Sequence, residues 1–288
     1  MNSRIAIPGL SRVGFQGEPG AYSEEAALRL LGESVATVPC ATFQAAFRAI
    51  PDGAADAILV PVENSLAGSV VRVYDLLLES NLSIIAEYIL RIEHHLIGCP
   101  DARRDEIRSV ASHPVALAQC ERFFEANALL RRIPAEDTAG SVREVLARGD
   151  TSCAAIAGRR AAERYGGVVL ESGIQDNREN FTRFVLLVPE PGPLAGADKM
   201  TIAMRLAHRP GALAASLEPF ARNGVNLLKI ESRPIHGRPW EYQFFLEVES
   251  EAPQKLQTAV TELRRCALDV RVLGLYQAAR GESPSSAA

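Results

Sequence analysis

No two of the five cysteines (Cys40, Cys99, Cys120, Cys153 and Cys266) stand in a CxxC spacing, and their number is odd. This argues against a disulfide framework or a paired-thiol metal site. It fits a reduced, cytoplasmic setting with each thiol a small core residue. Histidine is scarce, and only His94 and His95 are adjacent. Neighbours in a strand face opposite ways, so the pair cannot chelate one ion, and both read as polar residues in or beside a strand. Net charge is −4, with the many arginines offset by Asp and Glu, so no basic surface points to nucleic acid. No apolar run reaches membrane-spanning length, and the start, MNSRIAIPGLSRVGF, holds no apolar core of a secretion signal. GxGxxG and the P-loop lysine are both missing. The expectation is a soluble protein with no membrane or nucleic-acid partner, no metal and no organic cofactor.

What is present is a βα rhythm. The spacing predicts strand Val13–Phe15, helix Tyr22–Leu31, strand Val35–Val38, helix Phe43–Ile50 and the all-apolar strand Ala57–Pro61. Helix Val70–Glu79 and a long extended run, Leu82–Gly98, follow. Then come strand Ser109–Ala111, one helix over Pro114–Ala126, helix Ala139–Arg148 capped by Asp137 or Thr138, and strand Ala154–Ala157. Helix Arg159–Tyr165 and strands Val168–Leu170 and Phe184–Val188 complete this part. The pattern is α/β with a mostly parallel sheet. The long extended run and the late strand suggest two lobes joined by crossing strands around a cleft, over residues 10–190. A Pro- and Gly-rich linker, Pro189–Asp198, leads to a βαββαβ unit over 199–277, which is ferredoxin-like.

Four polar segments end predicted strands, where open α/β folds place ligands. GEPGAYSE puts the backbone amides of Ala21, Tyr22 and Ser23 at a helix start, suited to a carboxylate. VPVENSLAGS supplies Glu63, Asn64 and Ser65; ASHPVALAQC supplies Ser112, His113 and, two turns into the helix, Gln119. IQDNRENFTRF supplies Asn180, Thr182, Arg183 and Phe184. Within this last segment, one hydroxyl (Thr182), one guanidinium (Arg183) and the amides of Asn177 and Asn180, beside Asp176, make a site that works by positioning and proton donation. As neighbours in a strand, Thr182 and Arg183 should face opposite ways.

In this order, and with EDTA at 136–139, these segments resemble prephenate dehydratase, and equally the closely similar arogenate dehydratases. The βαββαβ unit resembles an ACT domain, with GAL at Gly211–Leu213 and ESRP at Glu231–Pro234. The resemblance implies a two-lobed, periplasmic-binding-protein-like catalytic domain and a regulatory domain, with no cofactor. It implies that Thr182, Asn64, Ser112 and Gln119 are the catalytic set. Ala21, Tyr22, Ser23, Glu63, Ser65, Arg183 and Phe184 would contact prephenate or arogenate. It further implies phenylalanine as effector, bound at the interface of a homodimer or homotetramer by Gly211, Ala212, Leu213, Asn226, Leu227, Glu231, Ser232, Arg233 and Pro234. Many prephenate dehydratases carry Thr and Phe where this chain has Ala21 and Tyr22, and Glu where it has Ala67; both variants look like the arogenate type. Two other readings stay open at this point: a solute-binding module and a non-catalytic amino-acid sensor.

Overall fold

Ile58, Leu59 and Val60 are wholly buried, as an all-apolar run in a parallel sheet requires. In the computed structural model, which describes residue 5 and residues 7–189, 196–235, 237–238 and 240–279, they lie in one of two compact units. This first unit runs to Leu76 and resumes over Tyr88–Phe184; the second holds Leu77–Glu87 and Val185–Ala279. Most of the expected linker, the HGRP turn in part, and the tail from 281 fall outside the described residues.

In chain order the first part comprises β1 (Arg12–Gln16), α1 (Tyr22–Leu31), β2 (Ala36–Cys40), α2 (Phe43–Ala49), β3 (Ala57–Asn64), β4 (Gly68–Ser69), α3 (Val71–Glu79) and β5 (Ser83–Arg91). Next are β6 (His95–Gly98), β7 (Ser109–Ser112), α4 (Pro114–Ala118), α5 (Glu121–Ala126), β8 (Arg131–Pro134), α6 (Thr138–Arg148), β9 (Cys153–Ala157), α7 (Arg159–Tyr165), β10 (Val168–Ser172) and β11 (Phe181–Val188). β1 lies between β2 and β3, parallel to both. A separate sheet has the order β10-β6-β9-β7-β8. There β7 is parallel to its neighbours, but β6 is antiparallel to both β9 and β10, so this sheet is mixed. β1, β2 and β3 and the separate sheet lie in the first unit, but the expected bounds 10–190 are not those of that unit, because Leu77–Glu87 and the chain from Val185 belong to the second.

Local signals fix several ends. Asp137 Oδ1 accepts from Gly140 N at 2.6 Å and caps α6. Other elements differ from expectation. The single helix over 114–126 is two, because the Asp176 carboxylate takes the Glu121 and Arg122 amides and starts α5 afresh. Gln119 is therefore the C-cap of a short helix and not an interior residue. β3 runs on through Glu63 and Asn64, and β11 starts three residues early, so Thr182 and Arg183 are in the strand.

The second unit adds β12 (Lys199–Arg205), α8 (Ala212–Arg222), β13 (Asn226–Pro234), β14 (Tyr242–Glu249), α9 (Pro253–Leu263) and β15 (Asp269–Gln277). Its sheet order, β13-β14-β12-β15, is the expected βαββαβ arrangement. Ile202, Leu246, Leu256, Leu263 and their neighbours form its core. The first half of β5 joins this sheet, parallel to β15, with Ile84 opposite Gly274. A side chain at Gly274 would collide with the Ile84 carbonyl. Lys199 is buried between Glu87 (2.8 Å) and Glu247 (3.1 Å).

All five cysteines are free. Cys40, Cys99 and Cys120 are core residues as expected, whereas Cys153 and Cys266 are only half-buried. Burial first, then the Asp176 and Glu121 charges, push the Cys120 thiol up to about 12. Because the thiolate is the reactive form, alkylation of the native protein at pH 8 is expected to label Cys153 and Cys266 well before Cys120. Peptide mass spectrometry over time checks this; early labelling of Cys120 would contradict the burial argument.

Candidate functional site

The site is built around Asn64, whose side chain is oriented by its own turn. Its Oδ1 accepts from Leu66 N (3.0 Å) and Ala67 N (2.9 Å). Nδ2 therefore faces outward, donating to Asn180 Oδ1 at 2.7 Å, Phe181 O at 3.1 Å and Thr182 Oγ1 at 2.9 Å. Asn180, fully buried, donates Nδ2 to Gln119 Oε1 at 3.0 Å. Gln119 Oε1 also meets His94 Nε2 at 2.9 Å. His94 Nδ1 lies 2.8 Å from the Tyr22 hydroxyl, which is 2.7 Å from the Glu93 carbonyl. One hydrogen-bonded chain thus runs from Thr182 to Tyr22, taking side chains from β3, β11, α4, α1 and the segment between β5 and β6.

Its electrostatics follow from burial. Burial holds His94 below the usual imidazole range; the Gln119 hydrogen bond opposes this and the neighbouring His95 adds to it. His95 is lowered by burial and then by Arg159, against Glu93. The Tyr22 phenol is pushed well above its ordinary value by burial, with the Glu25, Cys120 and Glu93 charges adding. Two buried neutral imidazoles give a pH dependence with a definite sign. The unfolded chain takes up protons near pH 6.5 that the folded chain refuses. Stability is therefore complete above that pH and falls as pH drops below it. The urea midpoint is expected to be lower at pH 5.5 than at pH 7.5, and a His94→Gln, His95→Gln variant should lose part of that difference. Equal slopes in variant and wild type would sink the argument.

Of the sequence candidates, Thr182, Asn64, Gln119 and Tyr22 lie along this one chain of hydrogen bonds. The other sequence candidates are held differently. Ser112 is fully buried and donates its hydroxyl to Ile156 O at 2.6 Å, so its proton ties β7 to β9. The Ser65 hydroxyl donates to Glu179 O and accepts from Phe181 N, a clasp between the turn after β3 and the start of β11. Arg183 indeed faces away from Thr182's partners, but it pairs with Glu63 at 2.9 Å, so each is already engaged. Phe184 is a core residue at 1 % exposure. The Ala21 amide donates to Glu18 O. Glu24 folds back onto Gly20 N at 2.7 Å, held by Thr37 and Arg160. The chain thus brings its own carboxylate to the start of α1, where an external one was expected. Ser23 is buried in the same turn. His113 caps α4 through Nδ1.

Sequence reasoning left His94 out of the site and carried Asn180 only as one of the polar residues ahead of β11, with no role. Asn180 had a usable signal, since it stands two residues from Thr182 and so shares its face. His94 had none, because a pair of adjacent histidines in an extended run reads as polar residues in or beside a strand. Among the described residues no group of three or more His, Cys, Asp or Glu is placed to hold a metal.

In the second unit, register divides the expected effector residues. Lys199 and Asn226 both lie opposite Glu249, while Arg205 and Arg233 both lie opposite Gln243. Asn226 and Pro234 are therefore about 26 Å apart at 3.3 Å per residue. Gly211, at φ 77°, opens α8 on the loop after Arg205, and α8 ends just before Asn226. Gly211, Ala212 and Leu213 group with Glu231, Ser232, Arg233 and Pro234 at one end of the sheet. Asn226 and Leu227 sit at the other end, so one chain cannot close all nine around a single small ligand.

Residues 13–191 match the family model of prephenate dehydratase and residues 200–265 that of the ACT domain. Arogenate dehydratase/prephenate dehydratase 1 of Arabidopsis thaliana is 40% identical over 283 residues, covering 92% of this chain and 71% of that protein. The prephenate dehydratase of Arthrobacter aurescens, solved in complex with L-Phe, superposes with a TM-score of 0.84 at 32% identity, covering 93% of this chain and 90% of that one. GqqA, described as a novel type of quorum quenching acylase, gives 0.85 at 34% identity, covering 95% and 98%. The fold and the matched families define an α/β lyase with an appended ACT domain. The chain belongs to the prephenate dehydratase family. Its activity is the decarboxylating dehydration of prephenate.

Proposed function

We propose that Thr182 directs the departure of the ring hydroxyl of prephenate, and that phenylalanine formed downstream restrains the enzyme through the second unit. In the reaction the bond from the ring to its carboxylate breaks and its electron pair enters the ring. The bond to the ring hydroxyl breaks in turn, and the leaving oxygen takes up one proton. CO2, water and phenylpyruvate result. Aromatisation provides the drive, so the protein needs only to orient the substrate and help the hydroxyl leave.

The observation that carries the reading is the 2.9 Å bond from Asn64 Nδ2 to Thr182 Oγ1. The amide fills an oxygen lone pair and leaves the hydroxyl proton for another acceptor, the leaving oxygen. A threonine hydroxyl is too weak an acid to be the ultimate proton source. It polarises and orients, and the proton comes from solvent. Tyr22, at the far end of the same hydrogen-bonded chain, is the remaining candidate for a substrate contact.

The effector reading is supported by the ACT match and by the L-Phe complex of the Arthrobacter relative. Separation of Asn226 and Leu227 from Gly211 favours a site completed by a second subunit, as a homodimer or homotetramer would provide. A cytoplasmic setting fits five free thiols. Prephenate is taken over arogenate as the substrate, with arogenate the alternative.

One assay tests the whole reading: prephenate and arogenate side by side, with and without phenylalanine. Faster consumption of prephenate and its inhibition by phenylalanine are expected. Preference for arogenate would reverse the substrate assignment, and indifference to phenylalanine would remove the effector. Dialysis against a strong chelator should leave turnover unchanged, because aromatisation needs no electron sink; activity that vanished and returned with one metal would contradict this.

A further inference from the structure

The polarity of the whole chain from Thr182 to Tyr22 is set at one end. Leu66 N–H and Ala67 N–H both point at Asn64 Oδ1, so Asn64 Nδ2 must donate to Asn180 Oδ1. Asn180 then presents Nδ2 to Gln119, whose facing atom is the acceptor Oε1. The atom of His94 that meets this oxygen at 2.9 Å is Nε2, which must carry a hydrogen. The neutral Nδ1–H tautomer is thereby excluded. Nδ1 is left bare, 2.8 Å from the Tyr22 hydroxyl, whose single hydrogen is donated to the Glu93 carbonyl at 2.7 Å and shared with Nδ1. The backbone of His94 is held as well: its amide donates to Gln175 Oε1 at 2.9 Å and its carbonyl accepts from Ile174 N at 3.0 Å.

Two donors converge on Gln119 Oε1. A proton wire needs its groups arranged head to tail, each giving up its own hydrogen as it receives another. A carbonyl oxygen that accepts from both sides has none to pass on. We propose that His94 is a positioning residue and not the acid of the dehydration: its Nε2–H holds Gln119, and with it Asn180, in the orientation that the Asn64 turn sets, so that the partners of Asn64 Nδ2 stay in place beside the Thr182 hydroxyl. Any second proton on His94 goes to Nδ1, on the Tyr22 side, away from Thr182. This rests on the assignment of Thr182 as the hydroxyl-directing group.

His94→Gln and His94→Leu separate the roles. Glutamine extends an amide N–H about as far as the imidazole Nε2 and removes the titrating group. With His94→Gln, kcat is expected to stay within about fivefold of wild type with an unchanged pH–kcat profile. With His94→Leu, kcat should fall about 10–100-fold at nearly constant KM, the mark of an interaction used in the transition state. Nitrogen NMR of the wild-type imidazole should report Nε2–H and a bare Nδ1 near neutral pH. Loss of about 10²–10⁴ in kcat with His94→Gln, loss of one limb of its pH profile, or an Nδ1–H tautomer would overturn the proposal. The nitrogen spectrum does not depend on turnover. If the wild-type protein consumed neither prephenate nor arogenate, the dehydratase assignment would fall while the tautomer remained separately tested.

Discussion

Thr182→Ala is expected to lower kcat for prephenate by about 10²–10⁴, the range for losing an oriented proton-donating group. That is about 2.7–5.4 kcal/mol of transition-state stabilisation at 1.36 kcal/mol per decade. The structural cost should be far smaller. The substitution removes a single hydrogen bond, from Asn64 Nδ2 at 2.9 Å, worth about 1 kcal/mol. Asn64 Nδ2 keeps Asn180 Oδ1 and Phe181 O as acceptors, so no donor is stranded. Catalysis and stability therefore separate cleanly in this variant. Thr182→Ser, which retains the hydroxyl but not the methyl group that limits its rotamers, should fall between. Turnover of Thr182→Ala within a few-fold of wild type, at an unchanged melting temperature, would remove Thr182 from the mechanism.

Lys199→Met is expected to be the most damaging single change to the fold. Lys199, Glu87 and Glu247 are each at most 6 % exposed, and the ammonium lies between the two carboxylates. Without it the two buried carboxylates lose the ammonium that lies between them, and the Ala279 amide on Glu87 does not replace its charge. Removing one partner of a buried ion pair costs about 3–5 kcal/mol, a large share of a typical stability of about 5–15 kcal/mol. Urea unfolding would show it as a lower midpoint. The triple change Lys199→Met, Glu87→Gln, Glu247→Gln should recover much of the loss, because the stranded charges are gone. An unaltered midpoint in Lys199→Met would mean that water or a counter-ion reaches the cluster.

The parts of the fold that could be read from the chain are those decided within a few residues. The start of α1 at Tyr22 and the Asp137 cap of α6 are local signals, and the βαββαβ order needs only the alternation of apolar runs. What could not be read was decided at a distance. The break at Gln119 is imposed by Asp176, 55 residues beyond Glu121. β8, an edge strand with two exposed arginines, carries no apolar run to reveal it. In the site, Thr182 and Asn64 could be singled out as polar residues beside predicted strand ends, Tyr22 at a helix start and Gln119 within a helix. The engagement of Ser112, Ser65 and Arg183 was not, because each is satisfied by a partner remote in sequence. The role of His94 depends on four side chains from different segments, and no spacing within one segment encodes that.

The pairing of Ile84 with Gly274 has a consequence for the order in which the protein takes shape during synthesis. Ser83–Glu87 leaves the ribosome about 190 residues before its β15 partner exists. At about 5–20 residues per second this is a wait of about 10–40 seconds. Through that interval Ile84, Ile85 and Ala86, all buried at the end, have no β15 beside them, and Glu87 has no lysine. The exposed stretch is short and β-prone, the kind of segment chaperones hold. The nascent chain must therefore keep it from pairing with a second copy until the C-terminal strand arrives.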